Sequence, residues 1–250
     1  MLFANCRLRK FEGKKTMRIA AIGDLHSETT SAGEIRLLLE GVESEADVLM
    51  LAGDLTNMGH PEEMSVLLND LYHFRMPTVA VVGNHDHESD SVELLVEMMV
   101  ESGIHVLNCS SIELDGVGFA GTKGFCGGFG RRAVQAFGER ALKTFVQAGI
   151  EEALCLESAL AELKTARKIA ILHYAPIAET IEGEAPEVYP FLGSSLLADA
   201  LDRQGADLVV HGHAHNGSPQ GRTQGGIPVY NVSRFVQKRS FGCAYRVFDV

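Results

Sequence analysis

Arg18-Ile19-Ala20-Ala21-Ile22-Gly23-Asp24-Leu25-His26 is an apolar run that stops on a glycine, a carboxylate and an imidazole. The arrangement returns in Asp47-Val48-Leu49-Met50-Leu51-Ala52-Gly53-Asp54-Leu55-Thr56-Asn57. It returns again in Pro77-Thr78-Val79-Ala80-Val81-Val82-Gly83-Asn84-His85-Asp86. Short continuous apolar runs closed by turn residues read as strands buried on both faces. Helical stripes lie between them. Ile35, Leu38, Leu39 and Val42 fall at i, i+3, i+4, i+7, as do Met64, Leu67, Leu68 and Leu71 behind Pro61, and Val92, Leu95, Val96 and Met99 after the third run. A β-α-β-α-β-α order with such crossovers predicts parallel pairing. Polar groups at the strand ends then gather on one sheet edge, where ligand sites of open α/β sheets lie.

Two later blocks extend the series. His173 ends a run over 168–172, in Leu172-His173-Tyr174-Ala175-Pro176, and Gly212-His213-Ala214-His215 follows a run over 208–210. The pattern between the third and fourth blocks differs. Short strands are expected at 105–107, 111–114 and 117–120, with turn chemistry such as Asp115-Gly116 predicting antiparallel pairing. A glycine-rich loop over 121–130 leads into a helical stretch over roughly 133–166. An irregular acidic segment, 175–193, precedes a helix near 196–201, and 229–232 and 244–247 read as closing strands. The fold class is α/β, with two packed mixed sheets flanked by helices.

Bulk properties narrow the function. The chain has 250 residues, 46% of them hydrophobic, enough for one sizeable core, and residues 17–250 are expected to form a single domain. A net charge of −11 disfavours nucleic acid as a partner, since broad backbone binding needs a basic stripe. No run approaches a membrane span, so no membrane is expected. The five cysteines, Cys6, Cys109, Cys126, Cys155 and Cys243, are odd in number and form no CxxC pair. They read as reduced thiols and place the protein in the cytoplasm. Residues 1–16 carry five cations and no apolar core of a signal peptide. They read as a disordered tail or a start assigned too early.

Carboxylate oxygen and neutral imidazole nitrogen suit a pair of hard or borderline divalent cations about 3.5–4 Å apart. A carboxylate such as that of Asp54 can face both. The residual positive charge would draw a phosphate despite the acidic surface.

The blocks match, in order, the pattern DxH, GD, GNH(D/E), H and GHxH, and the chain resembles the calcineurin-like metallophosphoesterase superfamily over most of its length. The resemblance implies a two-sheet αββα sandwich. It implies Asp24, His26 and His215 on one metal, Asn84, His173 and His213 on the other, and Asp54 between them. The metals would be Mn, Fe, Zn or Co. A metal-bridging hydroxide would attack phosphorus in line, with His85 as general acid held by Asp86. The substrate would be a small phosphate ester, with a phosphodiester favoured. A phosphomonoesterase or protein phosphatase is the alternative, and a non-catalytic scaffold on the same fold is a further one. The paired arginines of the protein-phosphatase branch are not evident, although Arg36, Arg131, Arg132 and Arg234 are candidates. A homo-oligomer is left open.

The remaining polar residues take structural readings. His60, His73, His87 and His105 are assigned to surface or core, with His60 and His87 close after motifs. His211 is read as orienting a neighbouring ligand or as core. Cys126 is read as structural and Glu179, Glu182, Glu184 and Glu187 as a solvated loop, while Asn231-Val232-Ser233 is expected to abut the site.

Overall fold

The three leading apolar runs form β1 (Arg18–Ile22), β2 (Val48–Ala52) and β3 (Thr78–Val81) in a computed structural model that describes residues 16–250. The expectations for residues 1–15, Cys6 among them, lie outside the described residues. These strands pair in parallel, with Ile19 opposite Val48 and Leu49 opposite Thr78. The crossovers carry α1 (Glu34–Leu38), α2 (Val42–Glu45), α3 (Pro61–Leu71) and α4 (Val92–Glu101). The first stripe forms two short helices, not one, because Gly41 sits at φ 85° and breaks the ladder.

β4 (His105–Val106) lies parallel beside β3, with Val79 opposite His105. The antiparallel expectation fails there because α4 is a full crossover that returns the chain in its original direction. It holds for the next pair. β5 (Ser110–Leu114) and β6 (Val117–Gly121) form a hairpin closed by Asp115 at φ 47° and Gly116 at φ 85°. Two positive φ values in a two-residue loop match the twist of the strands. α5 (Arg140–Glu162) starts later than the stripe suggested, just after Gly138 at φ 89°.

β7 (Arg167–Ile171) and β8 (Leu208–His211) follow β6 in parallel, separated in sequence by α6 (Tyr189–Leu192) and α7 (Ser195–Gln204). The last elements are β9 (Gln220–Arg222), β10 (Pro228–Asn231), α8 (Arg234–Phe241) and β11 (Arg246–Asp249). One sheet runs β11-β1-β2-β3-β4 and the other β5-β6-β7-β8-β10-β9. Their facing sides share one core, in which Ile19, Met50 and Val79 pack with Phe119, Ile171 and Val210. The outer side of the first sheet packs Ile22 and Leu51 against Ile35, Leu67 and Leu95 of the helices. The outer side of the second packs Ala170 and Val209 against Leu156, Leu160 and Leu201. The order of layers is therefore helix, sheet, sheet, helix.

The cysteine expectation is corrected. Cys109, before β5, and Cys155, on α5, form a disulfide with Cα atoms 5.1 Å apart and a separation of 46 positions in sequence. An odd total concealed a pair brought together only by tertiary structure, so the cysteines no longer assign the protein to the cytoplasm. Cys126 is buried and Cys243 exposed, both free. No helix among the described residues is long and apolar enough to cross a membrane.

Candidate metal centre

The loops leaving β1, β2, β3, β7 and β8 meet at one end of the two sheets. Backbone bonds lock them together: Asp24 N–H donates to Gly53 O (3.0 Å), His26 N–H to Asp54 O (2.9 Å) and Gly212 N–H to His173 O (3.2 Å). Asp24, His26, Asp54 and His213 all adopt positive φ, at 58°, 44°, 48° and 68°. Such conformations cost a non-glycine residue about 1–3 kcal/mol, and these strained positions fall on the motif residues themselves. At Gly53 and Gly83 a side chain is excluded on steric grounds. A Cβ on Gly53, itself at φ 80°, would lie 2.5 Å from the His173 ring, and one on Gly83 would strike the Asp54 carboxylate.

Two groups of donor atoms form around Asp54. Asp24, His26, Asp54 and His215 make one, and Asp54, His173 and His213 the other, each with its ligand atoms within 4.8 Å of one another. His26 Nε2 lies 3.3 Å from His215 Nε2 and 3.7 Å from Asp54 Oδ2. His215 Nε2 lies 3.4 Å from Asp24 Oδ1. In the second group, His173 Nε2 is 3.2 Å from Asp54 Oδ1 and 2.9 Å from Asn84 Oδ1. Asp54 belongs to both, and all seven residues expected as metal ligands come together.

The hydrogen bonding shows what this arrangement lacks. His173 Nδ1–H donates to Ala52 O (3.0 Å), so Nε2 carries a lone pair. That lone pair faces two acceptor oxygens. Asp24 Oδ2 and Asp54 Oδ2 are buried and have no hydrogen-bond partner. Buried carboxylate oxygens are costly unless paired or coordinated. Convergent acceptors without donors are what a cation satisfies, so the residues fit a metal pair.

The titration of the metal-free site agrees. Burial, then the nearby Asp24 and Asp86 charges, push Asp54 up to about 8. Burial would also raise Asp24, but the hydrogen bond and charge of His215, with the His173 charge, bring it well below the usual carboxylate range. Burial drops His26 to about 4 and His213 to about 3, and lowers His173. These rings are neutral near pH 7, as ligands must be. Burial pulls His215 down too, but the hydrogen bond and charge of Asp24 win and raise it.

His85 is part-buried beside the centre, its Nε2 4.0 Å from Asp54 Oδ2. Its Nδ1 faces Asn57 O at 2.7 Å. Asp86 does not hold this ring, as the resemblance implied. It is fully buried and accepts from the N–H groups of Leu55 (3.2 Å), Thr56 (2.8 Å) and Gly83 (2.8 Å) and from the Thr56 hydroxyl (2.6 Å). Asp86 thereby clamps the loop after β2 to the loop after β3.

Other expectations resolve similarly. His60 caps α3 together with Glu63, His73 lies beside Arg36, and His87 and His105 are exposed. His211 is buried between Gly212 O and Thr180 Oγ1, each at 2.8 Å. Burial raises the Cys126 thiol, as a structural role requires. Glu184 is not merely solvated: it accepts from Asn216 N–H at 2.6 Å, just after the last motif. Residues 231–233 do abut the site, since Gly23 N–H donates to Val232 O (2.8 Å) and Asn231 Nδ2 to Ala214 O (2.8 Å). Three neighbours carried no signal in the sequence. Tyr174 packs against His213 at a tilt of 56° with ring centroids 4.5 Å apart, Lys123 Nζ lies 5.2 Å above the Tyr174 ring, and Phe235 sits 4.5 Å from the His215 ring.

The sequence pattern of calcineurin-like phosphoesterases matches residues 17–217, which include every one of these donors. The chain belongs to the calcineurin-like phosphoesterase family. No curated protein matches it in sequence. Among solved structures, the phosphopantetheinyl hydrolase of Mycobacterium tuberculosis superposes with a TM-score of 0.68 at 17% identity, over 95% of this chain and 97% of that one. TT1561 of Thermus thermophilus gives 0.54 at 17% identity, over 94% and 99%. GAP50, the anchor in the inner membrane complex of Plasmodium, gives 0.54 at 11% identity, over 88% and 72%. At these identities the calcineurin-like phosphoesterase fold is what the structures share.

Proposed function

We propose that this protein is a dinuclear-metal phosphoesterase that hydrolyses a small phosphate ester, with phosphodiesters favoured. The observation that carries the reading is the convergence of imidazole nitrogens on two buried carboxylates, Asp24 and Asp54, each with its Oδ2 left without a donor. Asp24, His26 and His215 would hold one divalent cation, Asn84, His173 and His213 a second, and Asp54 would face both. Bound there, the cations supply Lewis acidity toward the phosphoryl oxygens and a water made acidic enough to act as nucleophile.

The chain's own residues do the rest. Neutral His26, His173 and His213 present lone pairs without first losing a proton. Phe191 O, 3.2 Å from His213 Nε2, and Ala52 O fix two of these rings from behind. Asn57 O accepts the Nδ1 proton of His85, so proton exchange at that ring takes place at Nε2, the atom that faces the site. A protonated Nε2 there donates to the departing alkoxide.

The preference for diesters rests on charge. A monoester dianion calls for more cations than a diester monoanion. Of the arginines considered as a clamp, Arg234 alone borders the centre, its charge acting on Asp24. Arg36 lies by His73, and Arg131 lines a separate cavity with Cys126.

The test is hydrolysis by metal-stripped protein reloaded with Mn²⁺, run on bis-p-nitrophenyl phosphate beside p-nitrophenyl phosphate. Metal-dependent turnover of the diester, abolished in Asp54→Ala, is the expected result. Faster turnover of the monoester would place the protein among the phosphatases. Bound metal with no turnover of either ester would remove the catalytic reading.

A further inference from the structure

α8 carries Arg234, Lys238 and Arg239 and no carboxylate, in a chain with a net charge of −11. No described Asp or Glu comes within 4.0 Å of any of these three cations. Lys238 and Arg239 line a groove beside His215, while Arg234 borders the centre itself. That shallow open groove of about 630 Å³ is lined by His215, Asn216, Phe235, Lys238 and Arg239.

Each residue of the groove has a physical part. Arg239 donates from its two terminal nitrogens to His215 O (3.0 Å) and Gly217 O (2.9 Å). Both acceptors are neutral, so the arm is pinned while its charge stays uncompensated. Phe235 forms the wall nearest the centre, its ring centroid 4.5 Å from that of His215 and 6.2 Å from that of His26. The Arg234 guanidinium lies 4.9 Å over the same ring, with its Nε buried and without a partner. Lys238 is exposed, with a long stem that can turn toward a ligand. Three carboxylates lie near these cations: Glu184 is committed to Asn216 by bonds of 2.6 Å and 3.1 Å, and the charges of Glu34 and Asp24 act on Arg234, leaving Lys238 and Arg239 free of them. Unpaired cations around an aromatic wall, contiguous with a metal ligand, describe an anion subsite.

We propose that this groove holds a second anionic group of the substrate, so that the hydrolysed ester carries, besides its reacting phosphate, another phosphoryl or carboxylate group bound by Lys238 with Arg239 behind it. The proposal rests on the metal-centre reading for the position of the reacting phosphate. It narrows the substrate class to polyanionic esters and gives an acidic protein a local means of attracting them.

Three phosphonates that resist hydrolysis test it: methylphosphonate, with one anionic group, phosphonopropionate, which adds a carboxylate, and propylenediphosphonate, which adds a phosphonate. Their affinities are measured by calorimetry on the Mn²⁺-loaded full-length protein and on Lys238→Ala and Lys238→Arg. One or both bis-anions should bind the wild type at least about fivefold more tightly than methylphosphonate, the size expected for an added exposed-to-half-buried ion pair. Lys238→Ala should erase that advantage, and Lys238→Arg should retain it. Lys238 is solvent-exposed, so its replacement leaves the fold intact. Which bis-anion gains identifies the chemistry of the second group. Equal affinity of all three ligands for the wild type, or an equal loss for all three in Lys238→Ala, would overturn the proposal. Lys238-dependent binding of a bis-anion that does not require Mn²⁺ would keep the groove and sink the metal-centre reading. Metal-dependent binding of methylphosphonate without a bis-anion advantage would do the reverse.

Discussion

At the scale of single residues, the proposed function gives His85 and Asp54 separable tasks. On the proposed reading His85 would deliver a proton from Nε2, and the only hydrogen bond of its side chain among the described residues is the one from Nδ1 to Asn57 O. His85→Ala should therefore slow alkyl phosphate esters by about 10²–10⁴-fold and p-nitrophenyl esters much less, because a good leaving group scarcely needs a proton. Steady-state rates on the two ester types decide this, and equal losses would assign His85 to phosphate orientation instead. Asp54 lies between both donor groups, so Asp54→Ala should lower the bound metal from two ions per chain toward one or none. Elemental analysis after gel filtration reads that stoichiometry directly, and a full complement of two would remove Asp54 from the shared position. Asp86 acts on the loops. Removing its four accepted bonds in Asp86→Ala leaves buried N–H groups unpaired and should cost roughly 3 kcal/mol, measured by urea unfolding.

At the scale of elements, the strand ends were legible because each apolar run stops on a motif, and their crossovers fixed parallel pairing. α8 and β9 were not. Only Val236 and Gln237 of α8 are buried, so no apolar stripe marks it, and β9 is a three-residue edge strand. The disulfide joins two elements that no motif or spacing links. Closing a 46-residue separation removes conformational freedom from the unfolded chain and should contribute about 2–4 kcal/mol. Reductant should lower the unfolding midpoint of the wild type and leave that of Cys155→Ser unchanged. Equal midpoints with and without reductant in the wild type would show that the bond adds nothing to stability.

At the scale of the whole molecule, the centre gives the metal-free protein an unusual dependence on pH. His26, His211 and His213 are depressed to about 4, about 4 and about 3, mainly by burial. Between these values and the unfolded value near 6.5 the unfolded chain binds more protons, so stability rises with pH. Asp54 is raised to about 8, so from roughly pH 4 to pH 8 the folded state holds a proton that the unfolded state has lost. That contribution makes stability fall with rising pH, and above about 6.5 it acts without the opposing histidine effect. Thermal unfolding of chelator-treated protein should therefore show a maximum near about pH 6.5 and a decline toward about pH 8. Added Mn²⁺ should reverse the decline, since a cation replaces the proton. Asp54→Asn should reduce it without metal, leaving the fall that the raised His215 adds above about 6.5, and a decline of undiminished size in that variant would place its cause elsewhere.

The sequence by itself determined the strand-and-crossover frame of the first half and the seven residues that gather at the centre. It could do so because strand-end position and residue chemistry are local properties written consecutively in the chain. Tertiary structure alone decided what those residues touch. Asp86 turned from the ring of His85 to four loop donors, Cys109 found Cys155, and the cations of α8 came to rest beside His215. Each of these depends on distances between segments far apart in the chain, which neither residue spacing nor periodicity encodes.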